Sequence, residues 1–407
     1  VPSPDPFGDL IAPFSRRGVD LGLERLQAAL EELGHPERRF AAIQVAGTNG
    51  KGSISTMLHA IATAAGIRCG LYTSPHLLSW CERIRLPEGL ISEAALQRLL
   101  QNLQPLALRH DLTPFELVTA AAMQAFAEAG VELAVLEVGL GGRLDATTVH
   151  PDRQVLAFAS IGLDHTEHLG PTIAAIAAEK AGVLHPGASA VSGPQAEEAA
   201  QVLRQLAARQ GCTLRWVKPL APAEQGGPVL GLRGDLQRSN AAVASGAAEA
   251  LAERGWPITP AAIAEGLRQA RWPGRLEQRH FLGQPLLVDG AHNPPAAEAL
   301  RRELDQRTHE QRLPRRWLIG IQRHKDAPSL LRTLLRESDA VRVVALPQEH
   351  SSWTAADLQA ATGFQLEEGA PELASNLAWL VDSPALPVAC GSLYLVAELL
   401  PLLQTTD

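Results

Sequence analysis

The chain has 407 residues with 36 basic and 44 acidic side chains, and its net charge of −8 argues against a nucleic-acid or anionic-membrane partner surface. With 46% hydrophobic and 20% charged residues it has the profile of a globular protein with ample core, and its length exceeds one ordinary domain. No run reaches the ~18–20 apolar residues of a membrane span, and VPSPDPFGDL lacks the basic start and apolar core of a signal peptide, so a cytoplasmic protein is expected.

Taken in chain order, short apolar runs alternate with helical periodicity, the pattern of an α/β protein with mostly parallel sheets. Strands are expected at AAIQVA (41–46), RCGLYT (68–73), LAVLEVG (133–139), VLAFASI (155–161) and ASAVSG (188–193). Between the first two, Ile54, Leu58, Ile61 and Ala65 mark one face of a helix. The stretch 220–234, LAPAEQGGPVLGLRG, reads as a loop or an edge hairpin inside the first domain. A second, smaller series follows RWPGRLEQR, with strands at PLLVDG (285–290), RWLIGI (316–321), VRVVAL (341–346) and LPVACG (386–391). The division expected is 1–274 and 275–407, with Pro273-Gly274 as a hinge.

Cys69, Cys81, Cys212 and Cys390 are scattered without a C-x-x-C pair, so neither a zinc knuckle nor a disulfide framework is implied. Only four of the 36 cations are lysines, Lys51, Lys180, Lys218 and Lys325. Either codon usage leaves four survivors, or positions 51 and 180 need an amine rather than a guanidinium.

The unusual residues gather just past the strands' carboxyl ends, where open parallel sheets bind ligands. VAGTNGKGS (45–53) resembles a phosphate loop with two departures: Val45 stands where the first glycine should be, and Gly52 sits between Lys51 and Ser53. Its glycines let amides turn toward an anion, the following helix adds a positive end, and Lys51 adds a point charge. Glu137 closes a buried strand ahead of the glycine-rich turn 139–142, the place of a magnesium-holding acid. His165 and His168 follow the fourth strand; a lone histidine there is as readily structural, and nitrogen is a poor magnesium donor. Lys180 shares a helix face with Ile173 and Ile176. That spacing leaves two readings open: a buried amine with a lowered pKa, or a side chain snorkelling from a helix end.

Ten ordered segments together resemble the folylpolyglutamate synthase and dihydrofolate synthase branch of the Mur ligases: DLGLER, VAGTNGKGS, YTSPHL, TPFE, EVGLGGRLDAT, LDHTEHLG, EKAG, PGR, DGAHNP and CGS. The extra glycine of GTNGKGS is typical of the folate branch. The resemblance implies a P-loop nucleotide-binding N-terminal domain, a Rossmann-like C-terminal domain, and an ATP-dependent ligase joining L-glutamate to a carboxylate through an acyl phosphate. By the same resemblance Thr48, Asn49, Gly50, Lys51, Ser53, Asn240, Arg275 and Asp289 would bind ATP, and Ser74, Glu137 and His165 would hold magnesium, two ions being expected. Lys180 would carry a carbamate made with carbon dioxide. Asp20, Leu21, Gly22, Thr113, Pro114, Phe115, Glu116, Leu144, Asp145 and Ala146 would bind dihydropteroate, with reduced folates as further substrates. A monomer is expected. The sequence departs from many relatives at His185 and in YLVAE after CGS, so neither segment is assigned a role. The competing readings are a peptidoglycan-type ligase, against which Gly52 counts, and a nucleotide-binding switch, which leaves Lys180 and Asp289 without a purpose.

Overall fold

The computed structural model describes residues 6–12, 20–306, 313–347 and 351–405. Residues 1–5, the start of the stretch read for a leader, lie outside the described residues. The chain divides into two compact units, Val1–Leu232 with Gln237–Arg271, and Arg233–Leu236 with Trp272–Asp407.

The first unit is built on β1 (Ala41–Ala46), β2 (Cys69–Tyr72), β3 (Ile84–Leu86), β4 (Gly89–Leu90), β5 (Leu133–Glu137), β6 (Arg153–Phe158), β7 (Ser189–Ser192) and β8 (Thr213–Trp216). Among the described residues they form one eight-stranded sheet in the order β4-β3-β2-β5-β1-β6-β7-β8. From β2 to β8 all pairings are parallel, while β3 and β4 add an antiparallel edge. Every residue of β1 and β5 is buried, as expected of central strands covered by helices on both faces. The register sets Val45 beside Glu137, so the phosphate-loop sequence and the acid leave the same end of the sheet.

The β3–β4 hairpin has too few residues for alternation to reveal it in the sequence. The expected strand 155–161 begins earlier and stops at Phe158. Beyond it the backbone is captured by Gln195, whose Nε2 donates to Ala159 O (2.9 Å) and whose Oε1 accepts from Ile161 N (2.8 Å). No hairpin forms in 220–234; the stretch holds a single 3₁₀ turn, Ala223–Gln225. Its end also leaves the first unit, since Arg233 Nη1 donates to Gln278 Oε1 at 2.8 Å and Leu236 N to Glu303 Oε1 at 2.8 Å.

Helix Lys51–Ala64 buries Ile54, Met57, Leu58 and Ile61, and packs against helix Pro260–Gln269. The two backbones meet at Gly266, where a Cβ would stand 2.4 Å from Ile61 N and Cα. The second unit contains β9 (Glu277–Phe281), β10 (Gln284–Val288), β11 (Arg315–Ile319), β12 (Ala340–Val343), β13 (Glu367–Glu368), β14 (Leu386–Cys390) and β15 (Gln404–Thr405). Their order, among the described residues, is β13-β12-β11-β14-β10-β9-β15. β13 to β10 run parallel and β9 is antiparallel, around a core with fully buried Trp317, Leu330, Leu331 and Val388.

Gly266→Ala tests the helix crossing. Overpacking of this kind costs about 1–3 kcal/mol, and because the obstacle is backbone the helices must separate. A lowered thermal midpoint, by calorimetry, is expected; an unchanged one would show that the crossing has slack.

Candidate active site

β1 ends at Ala46 and the loop that follows is braced by the segment after β6. Thr48 and Asn49 N–H both donate to Ser160 O (2.7 and 3.3 Å), and Ser160 Oγ donates to Asn49 O (3.1 Å). Thr48 Oγ1 lies 3.1 Å from both the O and the N–H of Gly162. Gly50 has a φ of 100°, and a Cβ on it would fall 2.4 Å from Asn240 Oδ1. Asn240 is buried and its Nδ2 donates to Gln237 Oε1 at 3.0 Å. Lys51 and Ser53 open the helix, whose first amides have no partner within the helix and form an anion-binding end. Lys51 Nζ donates to Thr48 O at 3.2 Å.

Glu137 closes β5 at 4% exposure, and Ser74 N–H donates to its Oε2 at 3.4 Å. Asp145, in the following loop, folds its carboxylate back onto this region. Its Oδ2 accepts from Gly139 N (2.9 Å) and Leu140 N (3.0 Å), and its Oδ1 from Thr147 N (3.0 Å) and Thr147 Oγ1 (2.5 Å). Burial raises the Asp145 pKa, and these hydrogen bonds pull the other way. Thr147 Oγ1 in turn accepts from Gln44 Nε2 at 2.8 Å, and Gln44 Oε1 accepts from Arg153 Nη1 at 2.7 Å.

The glycine turn packs on the helix that carries Lys180. A Cβ on Gly142 would lie 2.7 Å from Lys180 O, and Arg143 N donates to Glu179 O at 2.9 Å. Thr172 caps this helix by accepting from Ala175 N at 3.1 Å, which directs Ile176, Ala177 and Lys180 inward. Lys180 is 4% exposed, so the amine is buried rather than snorkelling. Burial first, then Lys51, push its pKa down to about 7, with Asp164 and Asp145 opposing. His165 has a left-handed backbone, φ 51°, at the start of a four-residue helix, and its side chain lies 4.0 Å from Asp164 and 3.8 Å from Glu167.

The segments 20–22 and 113–116 are joined by Arg25. Its Nη1 donates to Asp20 Oδ2 (3.0 Å), Nη2 to Asp20 O (2.8 Å) and Nε to Glu116 Oε2 (3.3 Å). Thr113 and Glu116 form a capping box, with Pro114 at the first helical position. The Phe115 ring packs on Gly139 and lies 6.0 Å from the Tyr72 ring, which draws this helix to the glycine turn. Leu144 and Ala146 flank Asp145 in the loop it clamps, with Ala146 buried.

In the second unit Asp289 follows β10 and accepts from Leu276 N (Oδ2, 2.8 Å) and Ala291 N (Oδ1, 2.8 Å). Burial raises its pKa, against the pull of Arg275. Arg275 lies beside Gly290, a Cβ on which would be 3.2 Å from Nη1.

Residues 45–213 match the Mur ligase middle domain and residues 276–402 the dihydrofolate synthetase C-terminal domain. The folylpolyglutamate synthase of Lacticaseibacillus casei is 33% identical over 402 residues, covering 92% of each chain. The chain belongs to the folylpolyglutamate synthase/dihydrofolate synthase family. Within that family it is similar to the E. coli FolC structure in complex with DHPP and ADP (TM-score 0.82, 28% identity, 98% and 99% of the two chains). It is also similar to a bifunctional folylpolyglutamate synthase/dihydrofolate synthase with Mn, AMPPNP and L-glutamate bound (TM-score 0.80, 31% identity, 96% of each chain).

Several residues that organise this candidate site are given no role by any motif. Gln44 is the one polar side chain in a buried apolar strand, a signal present in AAIQVA. Arg25, Arg153, Ser160 and Gln195 act through contacts distant in sequence, which no local pattern announces. Among the described residues no group of three or more His, Cys, Asp or Glu side chains forms a closed metal cluster, and no helix is long and apolar enough to cross a membrane.

Gly50→Ala should damage nucleotide use selectively. A side chain at this φ, against Asn240, introduces strain of about 1–3 kcal/mol, so KM for ATP should rise roughly ten- to hundredfold in steady-state ADP release. A wild-type KM would mean that the loop does not rely on this glycine.

Proposed function

We propose that the chain is an ATP-dependent ligase that adds L-glutamate to dihydropteroate and to reduced folates. The observation that carries the reading is the buried Lys180 amine under the influence of Lys51, in a chain aligned with a folylpolyglutamate synthase over nearly its whole length. A nucleotide switch needs no such amine. A carboxylate is a poor electrophile; phosphorylation by ATP gives an acyl phosphate, the glutamate amine attacks its carbonyl carbon, and inorganic phosphate leaves. Lys51 and the first amides of its helix stabilise the charge on the transferring phosphoryl group. Thr48, Asn49, Gly50, Ser53, Asn240, Arg275 and Asp289 complete the proposed ATP ligands.

Ser74 and Glu137 offer hard oxygen donors, which suit magnesium better than zinc. With His165 they would hold magnesium, which when bound neutralises phosphate charge. Dihydropteroate is assigned to Asp20–Gly22, Thr113–Glu116 and Leu144–Ala146. The four hydrogen bonds on Asp145 favour a positioning role for that carboxylate.

Lys180 is proposed to carry a carbamate: the neutral Nζ bonds the carbon of CO₂ and a proton passes to solvent. The neutral fraction grows as pH rises through about 7. Stimulation of ADP release by bicarbonate, against CO₂-depleted buffer, should therefore increase from about pH 6 to 8. Stimulation that does not change with pH would count against the modification.

The decisive assay is ADP release with dihydropteroate and with tetrahydrofolate, each with and without glutamate. Release dependent on glutamate is expected; turnover indifferent to both acceptor and glutamate would overturn the reading. Lys180→Ala should lose turnover by about 10²-fold or more while circular dichroism stays that of the parent.

A further inference from the structure

Arg25 lies outside the assigned substrate segments yet touches two of them. Its guanidinium donates from Nη1 and Nη2 to the side chain and backbone of Asp20, and from Nε to Glu116 Oε2. It therefore ties the 20–22 loop to the helix of Glu116, a residue 91 positions beyond Arg25 in the chain. The Arg25 side chain is 23% exposed and Glu116 only 4%, so this cation faces a carboxylate largely removed from water.

The two oxygens of Glu116 differ. Oε2 is saturated by Thr113 N at 2.7 Å and Arg25 Nε at 3.3 Å. Oε1 is buried and takes no hydrogen bond, although Arg25 Nη2 stands 3.2 Å away as an ion-pair partner. Oε1 thus relies on this ion pair rather than on a well-aligned hydrogen bond, and binding sites are where such under-satisfied acceptors persist. The capping box fixes the carboxylate through Oε2, which leaves Oε1 as the oxygen able to accept from a ligand. Phe115, one residue earlier, adds an aromatic face beside Tyr72. An N–H donor on a flat heteroaromatic ring matches both features.

We propose that Arg25 is a positioning and specificity residue for the pterin-bearing substrate. It locks the 20–22 loop to Glu116 and holds Glu116 in place as the acceptor proposed for a ring N–H group. The inference rests on the assignment of dihydropteroate to these segments. Lysine cannot replace arginine here, because three donors in a planar fork serve three acceptors on two segments.

The test uses full-length enzyme and ADP release with dihydropteroate, glutamate and ATP varied separately. Arg25→Met should raise KM for dihydropteroate roughly ten- to hundredfold, leaving KM for ATP within about twofold and kcat much less affected. Arg25→Lys should not restore KM. If Arg25 acts through Glu116, then Glu116→Gln and Arg25→Met combined should cost clearly less than the product of the single effects. Parallel rises in KM for ATP and dihydropteroate would reduce Arg25 to a stabilising contact and overturn the proposal, as would a wild-type KM in Arg25→Lys. Should Arg25→Met fail to fold, the lysine variant and Glu116→Gln carry the test. Wild-type enzyme inactive with dihydropteroate would instead remove the substrate assignment itself, an outcome separable from failure of the Arg25 variants.

Discussion

The first unit's site depends on one buried carboxylate. Asp145 gathers two backbone amides of the glycine turn and both donors of Thr147 onto its two oxygens. Hydrogen bonds to a charged group contribute about 1.5–3 kcal/mol each; here they oppose burial without cancelling it, and the acid's pKa stays raised. Behind it the donors all point one way, from Arg153 to Gln44 to Thr147 to Asp145, so the opposite charge is delivered through neutral groups. Arg153 also donates to Val183 O at 3.0 Å, just past the helix that carries Lys180. The turn after Glu137, the central strand and the Lys180 helix are thus parts of one connected polar core.

That arrangement explains the division of labour between two lysines. Lys51 stands half-buried at the mouth of a helix and hydrogen-bonds a loop carbonyl, as a cation should. Lys180 is buried on a helix whose backbone packs against Gly142 and Arg143, and burial drives its amine toward the neutral form. The same residue type thus meets two environments, one that offers a partner carbonyl and one that favours the neutral amine.

Much of this was legible beforehand, for physical reasons. Parallel strands buried on both faces leave continuous apolar runs, so β1, β5, β7 and β14 could be read directly from sequence. Glycines forced by turns and close approaches mark the loop at 47–53 and the turn at 139–142. The short edge strands β3, β4, β13 and β15 escaped because two or three residues carry no period. Local spacing could not decide whether Lys180 was buried; the backbone of its helix is met by Gly142 and Arg143, almost forty residues away. Arg25 escaped for the same reason, since DLGLER is a motif without any indication of what its arginine holds.

The crossing at Gly266 has a consequence for the loop at the head of helix Lys51–Ala64. With its backbone pressed against a second helix at Ile61, and its first turn hemmed by Asn240, this helix has little room to slide or roll. Ser160 holds the two residues ahead of Gly50 in place. The amides at the head of this helix are therefore held in place by the fold itself. A nucleotide bound at the proposed site would take away little disorder and keep affinity that a floppy glycine loop would forfeit to entropy.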